Sequence, residues 1–317
     1  MDKIAVGVSH CLLGERVRYD GQHKHDRYIT GTLGQFFEWV PICPEVECGL
    51  PIPREAMRLI ADKKDQSPKL MTRNTKKDIT PMMVKWAEKR LDQLVNENIC
   101  GYIFKSRSPS SGMTGVKIYG TDGMPKWTGP GIFAGMLQQR MPHLPVIDEG
   151  RLHDPGLRGN FIEHVFVYHR WQELTAKGVT AKALQKFHAD HKYLLMSRSP
   201  KNLTALGRLA AMPFGKDGSK IVNEYFELLT ATMRLQATTK KHVNVLTHLV
   251  GYFKKDLSSE EKQELLEVIE DFKNGLLPLL VPITLIRHYV RKYHKEYLDQ
   301  QWYIKPGTLE LMSRNHA

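Results

Sequence analysis

Two rhythms of apolar residues divide the chain. Up to about residue 150, short β-branched or aromatic runs at 3–8, 39–43, 99–105 and 116–119 recur between segments with helical spacing. Thr80-Pro81 supplies a cap and a proline at a first helical position, and Met83, Ala87, Leu91, Leu94 and Val95 follow on one face. Residues 31–39 and 130–139 read as further helices, 54–61 as the start of another, and 62–78 as an exposed lysine-rich connector. Strands alternating with helices predict a parallel α/β sheet whose strand ends converge. From Leu157 the strand rhythm stops. Helices are expected over 161–173, 180–196, 200–211, 219–234, 239–257, 259–275 and 283–297, with Ser258-Ser259-Glu260-Glu261 capping the sixth. The expected organisation is an α/β domain over 1–150 followed by an all-α domain over 151–317.

Composition sharpens this picture. With 317 residues, 41% hydrophobic and 25% charged, the chain has the make-up of a globular protein with ample core and not of a disordered or fibrous one. No run approaches the roughly eighteen apolar residues of a membrane span, and the start, Met1-Asp-Lys-Ile, is too acidic and too short for a signal peptide, so a cytoplasmic protein is expected. Four cysteines do not make a disulfide framework and point to thiolate chemistry in a reducing compartment. The net charge of +12 favours an anionic partner, and about two-thirds of that excess lies after residue 155. There, 239–255 and 287–295 interleave basic and aromatic residues; such stripes either track a nucleic-acid backbone or are solvated faces with half-buried tyrosines. His188 and His191 share a helix face without a third ligand and read as packing, and the histidines of 22–26 read as solvated.

The unusual chemistry sits in three strand-end loops. The stretch from Ile42 to Arg54 holds Cys43, Glu45, Glu47, Cys48 and prolines at 44, 51 and 53, so neither ladder nor helix can run through it regularly. Its two cysteines are compatible with two ligands on one metal or cluster, or with two small buried side chains. The strand at 3–8 delivers Ser9-His10-Cys11 to a loop reaching Gly14, and the strand at 99–105 runs into Ser106-Arg-Ser-Pro-Ser-Ser-Gly112, whose amides and hydroxyls can face a bound group. Three thiolates from two loops can hold an iron–sulfur cluster while leaving one iron open to a substrate sulfur, and Glu45 can serve as a general base. Cys100, at the start of its strand, reads as core.

Ser9-x-Cys11-Leu-x-Gly14, Arg18-Tyr-Asp-Gly21, Cys43-Pro-Glu45, Gly49-Leu-Pro-x-Pro-Arg54 and Lys105-x-x-Ser108-Pro-Ser110-x-Gly112 resemble the 2-thiouracil desulfidase (TudS-like) domain over about 1–150. The remainder resembles the YbgA-like helical domain. The resemblance implies a Rossmann-like α/β domain, a 4Fe-4S cluster on three cysteines, and removal of sulfur from thiouracil to give uracil and sulfide. Cys11 and Cys43 transfer as ligands. Short members of the family have cysteine at the position of Ser111 and glycine at that of Cys48, so Cys48 is expected to supply the third thiolate. On this reading Glu45 takes a proton from the attacking water, Ser108 hydrogen-bonds the developing charge, and Lys105, Arg54, Ser110 and Ser111 hold the pyrimidine, with Arg107 beside them. The alternative is a nucleic-acid-binding protein with a structural metal or cluster, thiolated RNA being a substrate common to both readings.

Overall fold

The computed structural model describes residues 3–64 and 66–314. The chain divides into two compact units, the first ending at His153 and the second starting at Asp154.

The first unit is α/β. Its main sheet has the order β2-β1-β5-β8, built from β1 (Ile4–Ser9), β2 (Phe37–Ile42), β5 (Tyr102–Phe104) and β8 (Val146–Asp148), and every neighbouring pair is parallel. Parallel strands are covered on both faces, which is why these runs are almost continuously apolar: Val6, Val8, Ile103 and Phe104 are fully buried. Helices α2 (Thr80–Asn96) and α3 (Ile132–Arg140) cover the sheet through Trp86, Phe133 and Tyr102, with Phe133 5.3 Å from Trp86 and 6.0 Å from Tyr102 by ring centroids. Because all four strands run the same way, the segments that follow β1, β2, β5 and β8 emerge at one edge, where open α/β sheets place their ligands.

A second sheet, β4-β3-β6-β7, lies outside the sequence expectation except for its strand at 116–119. It comprises β3 (Met57–Ile60), β4 (Lys69–Thr72), β6 (Val116–Tyr119) and β7 (Pro125–Gly129), with β3 and β6 parallel and the outer pairs antiparallel. Residues 54–61 therefore form a strand and not the start of a helix, and the lysine-rich connector carries another. One face of this sheet packs Leu59, Leu70, Val116 and Ile118 onto Ile79 and Met83, and the other stays wet, so β4 alternates exposed and buried positions. Residues 31–39 also differ from expectation. In place of one α-helix, a π turn ending at Thr32 and a 3-10 turn, Leu33–Gln35, lead into β2, which already holds residues 37–39. Thr80 lies inside α2 and its hydroxyl accepts from the Leu70 amide at 2.8 Å, tying helix to sheet instead of capping.

The second unit is all α. It contains α5 (Pro155–Ala176), α6 (Ala181–Arg198), α7 (Pro200–Ala211), α8 (Gly218–Met233), α9 (Thr239–Val250), α10 (Ser259–Lys273), α11 (Leu280–Lys292), α12 (Glu296–Asp299) and α13 (Thr308–Ser313); short α1 (Pro44–Glu47) and α4 (Glu149–Leu152) belong to the first unit. Side-chain caps start most of the long helices: Asp154, Thr180, Ser199 and Thr238 each accept an amide three residues on, and Ser258 and Glu261 form a capping box. The core gathers around Trp171, stacked on Tyr225 and Phe226 at 5.6 and 5.2 Å. His188 and His191 belong to this core: His188 Nδ1 pairs with the Tyr225 hydroxyl at 3.1 Å, and His191 Nδ1 donates to the Phe187 carbonyl at 2.7 Å. Among the described residues, no helix is long and apolar enough to cross a membrane.

Buried titratable groups give this unit a defined pH response. Burial holds His191 and His242 down to about 3. The unfolded chain binds those protons from about pH 6.5 downward while the folded chain refuses them, so stability is lost as pH falls from 6.5 toward 3, by about 1.4 kcal/mol per histidine per pH unit. Glu163 adds to the loss below its ordinary range. Burial pushes its carboxyl up, but Arg314 and Arg198 overcome that and hold it at about 2. Hydrogen exchange of peptides from α5, α6 and α9 is expected to show opening free energies that shrink steadily between pH 7 and 4; a flat profile would contradict the assignment.

Candidate active site

The segments that follow β1, β2 and β5 line a cavity of about 390 Å³ at the C-terminal edge of the main sheet. After β1 the chain makes a tight 3-10 turn, His10–Leu13, and Gly14 reverses it at φ +102°, a conformation open to glycine. Cys11 faces the cavity from this turn. The Ser9 hydroxyl accepts from the Lys105 amide at 2.8 Å, which locks the end of β1 to that of β5.

After β2, Cys43 caps the one-turn helix α1, its amide donating to Glu47 Oε1 at 2.8 Å. Its Sγ lies 3.6 Å from Glu45 Oε2 and 3.7 Å from the Val17 carbonyl. Burial, with the Glu45 charge second, pushes the Cys11 thiol up to about 11 and the Cys43 thiol up to about 12. In the metal-free protein both are therefore protonated thiols.

The loop after β5 is a hydroxyl cluster set over the start of α3. The Ser110 carbonyl accepts from the Ala134 amide and the Pro109 carbonyl from the Ile132 amide, both at 3.1 Å, so first-turn amides that a helix cannot satisfy internally hold the loop in place. Gly112 is required here. A Cβ at that position meets Val116 Cγ2 at 2.3 Å and the Ser108 carbonyl at 2.7 Å. Ser108 Oγ accepts from the Ser111 amide at 3.1 Å and pairs with Ser110 Oγ at 2.9 Å; Ser110 Oγ donates to Glu45 Oε1 at 2.5 Å, with Ser108 Oγ 3.5 Å from the same oxygen. Arg54 Nη2 stands 3.8 Å from Glu45 Oε2. The carboxylate is thus fixed between two hydroxyls, a guanidinium and a thiol.

Of the residues singled out from sequence, Cys11, Cys43, Glu45, Arg54, Lys105, Ser108 and Ser111 all line the cavity. Ser110 is fully buried behind the wall and acts on Glu45. Both cations are already engaged: Arg54 Nη1 donates to the Val17 carbonyl at 3.0 Å, and Lys105 pairs with Glu149. Cys48 stands apart from these residues. It ends α1, its Sγ donates to the Glu45 carbonyl at 3.2 Å, and it packs against the apolar face of the second sheet, off the cavity wall. Among the described residues, no three His, Cys, Asp or Glu side chains are arranged to hold a metal ion. Cys100 is buried in the core.

Sequence reasoning missed Glu149, Arg18 and Lys24. Glu149 follows β8 and accepts from the Ser106 amide and hydroxyl at 2.6 and 2.8 Å, bracing the β5 loop. Its signal was available: Leu144-Pro-Val-Ile147 is a short apolar run like the other parallel strands, and the residues just after such a strand face the shared edge. Arg18 and Lys24 line the cavity from the segment between β1 and β2.

Each unit matches a known family in sequence. Residues 6–149 match the 2-thiouracil desulfurase family, and residues 192–307 match the family described as a protein of unknown function, DUF1722. The chain is a fusion: its α/β unit carries a 2-thiouracil desulfurase domain and its helical unit a DUF1722 domain. An uncharacterized protein YbgA of Escherichia coli strain K12 is 29% identical over 142 residues, which is 44% of this chain and 84% of that protein. A solved 4Fe-4S-dependent thiouracil desulfidase, TudS, is 31% identical, covering 49% of this chain and 95% of that one at a TM-score of 0.37.

Proposed function

We propose that the α/β unit removes sulfur from thiouracil-type pyrimidines by water attack, giving uracil and sulfide, with a 4Fe-4S cluster as cofactor. The observation that carries this reading is a carboxylate, Glu45, fixed by hydroxyls at 2.5 and 3.5 Å and standing 3.6 Å from a cavity-lining cysteine, within the residues that match the 2-thiouracil desulfurase family. The donor set fits the cofactor at two thiols, Cys11 and Cys43, and offers the Ser111 hydroxyl where the family resemblance has its third ligand. When bound, such a cluster supplies a Lewis acid for the substrate sulfur.

The protein's own residues do the rest. Glu45 accepts a proton from water, the water oxygen bonds to the thiocarbonyl carbon, and the carbon–sulfur bond breaks with sulfur leaving as hydrosulfide; water and thiouracil balance uracil and hydrogen sulfide with no net oxidation. Ser110 and Ser108 orient the Glu45 carboxylate through their hydroxyls, and Arg54 opposes the charge that builds beside it. Arg18 and Lys24 give the cavity a positive wall suited to an electron-rich substrate.

Iron content separates the cysteines. In anaerobically reconstituted protein, Cys43→Ala and Cys11→Ala are expected to lose most of their iron, whereas Cys48→Ala keeps it. Loss of iron in Cys48→Ala to the level of Cys43→Ala would return Cys48 to the ligand set.

A further inference from the structure

The helical unit contains a second cavity, of about 580 Å³, whose chemistry is independent of the desulfurising site. The starts of two long helices line it. Asp154 to Asn160 come from the beginning of α5, and Thr238 and Thr239 from the beginning of α9. Helix geometry leaves the first-turn amides, including those of Gly156 and Thr239, without an acceptor inside their own helices, and the positive ends of both dipoles meet at this wall.

A buried charge cluster forms the cavity's floor. Arg198 and Arg314 are 4% and 2% exposed, and Glu163 between them is 6% exposed. Glu163 Oε1 accepts from Arg314 Nε at 3.0 Å and Nη2 at 2.9 Å, and Oε2 pairs with Arg198. Glu310 is buried as well but is taken by Arg170. His242, also on the wall, is held neutral by burial and directs Nδ1 to the Tyr303 hydroxyl at 2.9 Å. Two guanidinium ions therefore share one buried carboxylate, and Asp154 at the exposed rim is occupied in capping α5 through the Leu157 amide. Arg198 also leaves its buried Nε without a hydrogen-bond partner among the described residues. Arg198 Nη1 also donates to Asn160 and to the Leu235 carbonyl, the latter at 3.0 Å, so its neutral contacts are filled while one of the two guanidinium charges lacks a counter-charge, and uncompensated buried charge is costly.

The wall is kept bare on the same side. Gly159 lies inside α5, where glycine is unfavourable, yet a Cβ there meets nothing closer than Ser313 Oγ at 3.7 Å. Packing within the protein does not call for glycine at that position; close approach of a ligand to the helix backbone does.

We infer that this cavity binds a phosphoryl oxyanion, either free phosphate or the phosphate of a small monoester, between the first turns of α5 and α9 and over the Arg198–Glu163–Arg314 cluster. The anion supplies the missing counter-charge, and first-turn amides with a guanidinium are the donors phosphate prefers. A volume well beyond one phosphate leaves room for an attached nucleoside-sized group.

The test uses the full chain at constant ionic strength, titrated calorimetrically with inorganic phosphate and separately with uridine monophosphate. Rim substitutions probe the site without disturbing the buried cluster. Thr239 is exposed in the first turn of α9, where a carboxylate favours the helix, so Thr239→Glu is expected to fold as well as the parent. It should weaken binding tenfold or more, Thr239→Gln should stay within about twofold of the parent, and exposed Gln236→Glu should repeat the loss. Nucleotide binding at least tenfold tighter than phosphate identifies a monoester as the ligand, and equal affinities identify free phosphate. Absence of saturable binding by either anion, or binding that both acidic variants leave unchanged, overturns the inference.

Discussion

Glu45→Gln is expected to lower uracil formation from 2-thiouracil by about 10²- to 10⁴-fold, the usual contribution of a positioned general base. The substitution keeps shape and the hydrogen bonds from Ser110 and Ser108 can persist to the amide oxygen, but the proton acceptor is gone. Two further observations should accompany the loss. The variant should keep the iron content of the parent, because Glu45 is not among the thiols that would hold the cluster, and its thermal midpoint should change little. Activity within tenfold of the parent would remove Glu45 from the chemistry and leave it as a neighbour that merely orders the Ser108–Ser111 loop.

Gly112→Ala should damage the same site without touching any reacting group. The added methyl meets Val116 Cγ2 at 2.3 Å and the Ser108 carbonyl at 2.7 Å, and the latter is backbone that cannot rotate away. Relief requires the loop to lift from α3, which carries Ser108 and Ser110 away from Glu45. A cost of about 1–3 kcal/mol in the stability of the α/β unit follows, together with a fall of about 10²-fold in kcat/KM from misplacement on the order of an ångström. Gly31→Ala is the matched control, because a methyl there meets nothing within 4 Å. Equal midpoints and equal activity in the two variants would contradict the close approach.

The division of the chain into an α/β and an all-α half was legible because two strong periodicities meet near residue 150, one of buried parallel strands and one of helices that carry their own caps. The strands at 4–9 and 102–104 and the Ser258 cap stood out because their residues answer to one local rule each. Apart from the run at 116–119, the second sheet was not legible. Its strands are four or five residues of mixed polarity, half wet, and Met57-Arg-Leu-Ile satisfies a helical start as well as it satisfies a strand. The loops of the site could be named because each ends an apolar strand in cysteine or a run of hydroxyls. Which side chains reach the cavity depended on local geometry that spacing does not encode: one turn of helix ends at Cys48, off the wall, and Glu149 comes to brace the β5 loop only because β8 joins the main sheet at its edge. The cavity of the helical unit gave no sequence signal, since Glu163, Arg198 and Arg314 are widely separated along the chain and read individually as surface charges.

The measurement that bears most directly on the function is made on protein purified without oxygen: visible absorption with iron and sulfide analysis, followed by addition of 2-thiouracil and quantification of uracil. The account predicts brown protein with about four irons per chain and uracil formation that Glu45→Gln suppresses. Protein that remains colourless and inactive after cluster reconstitution would contradict it.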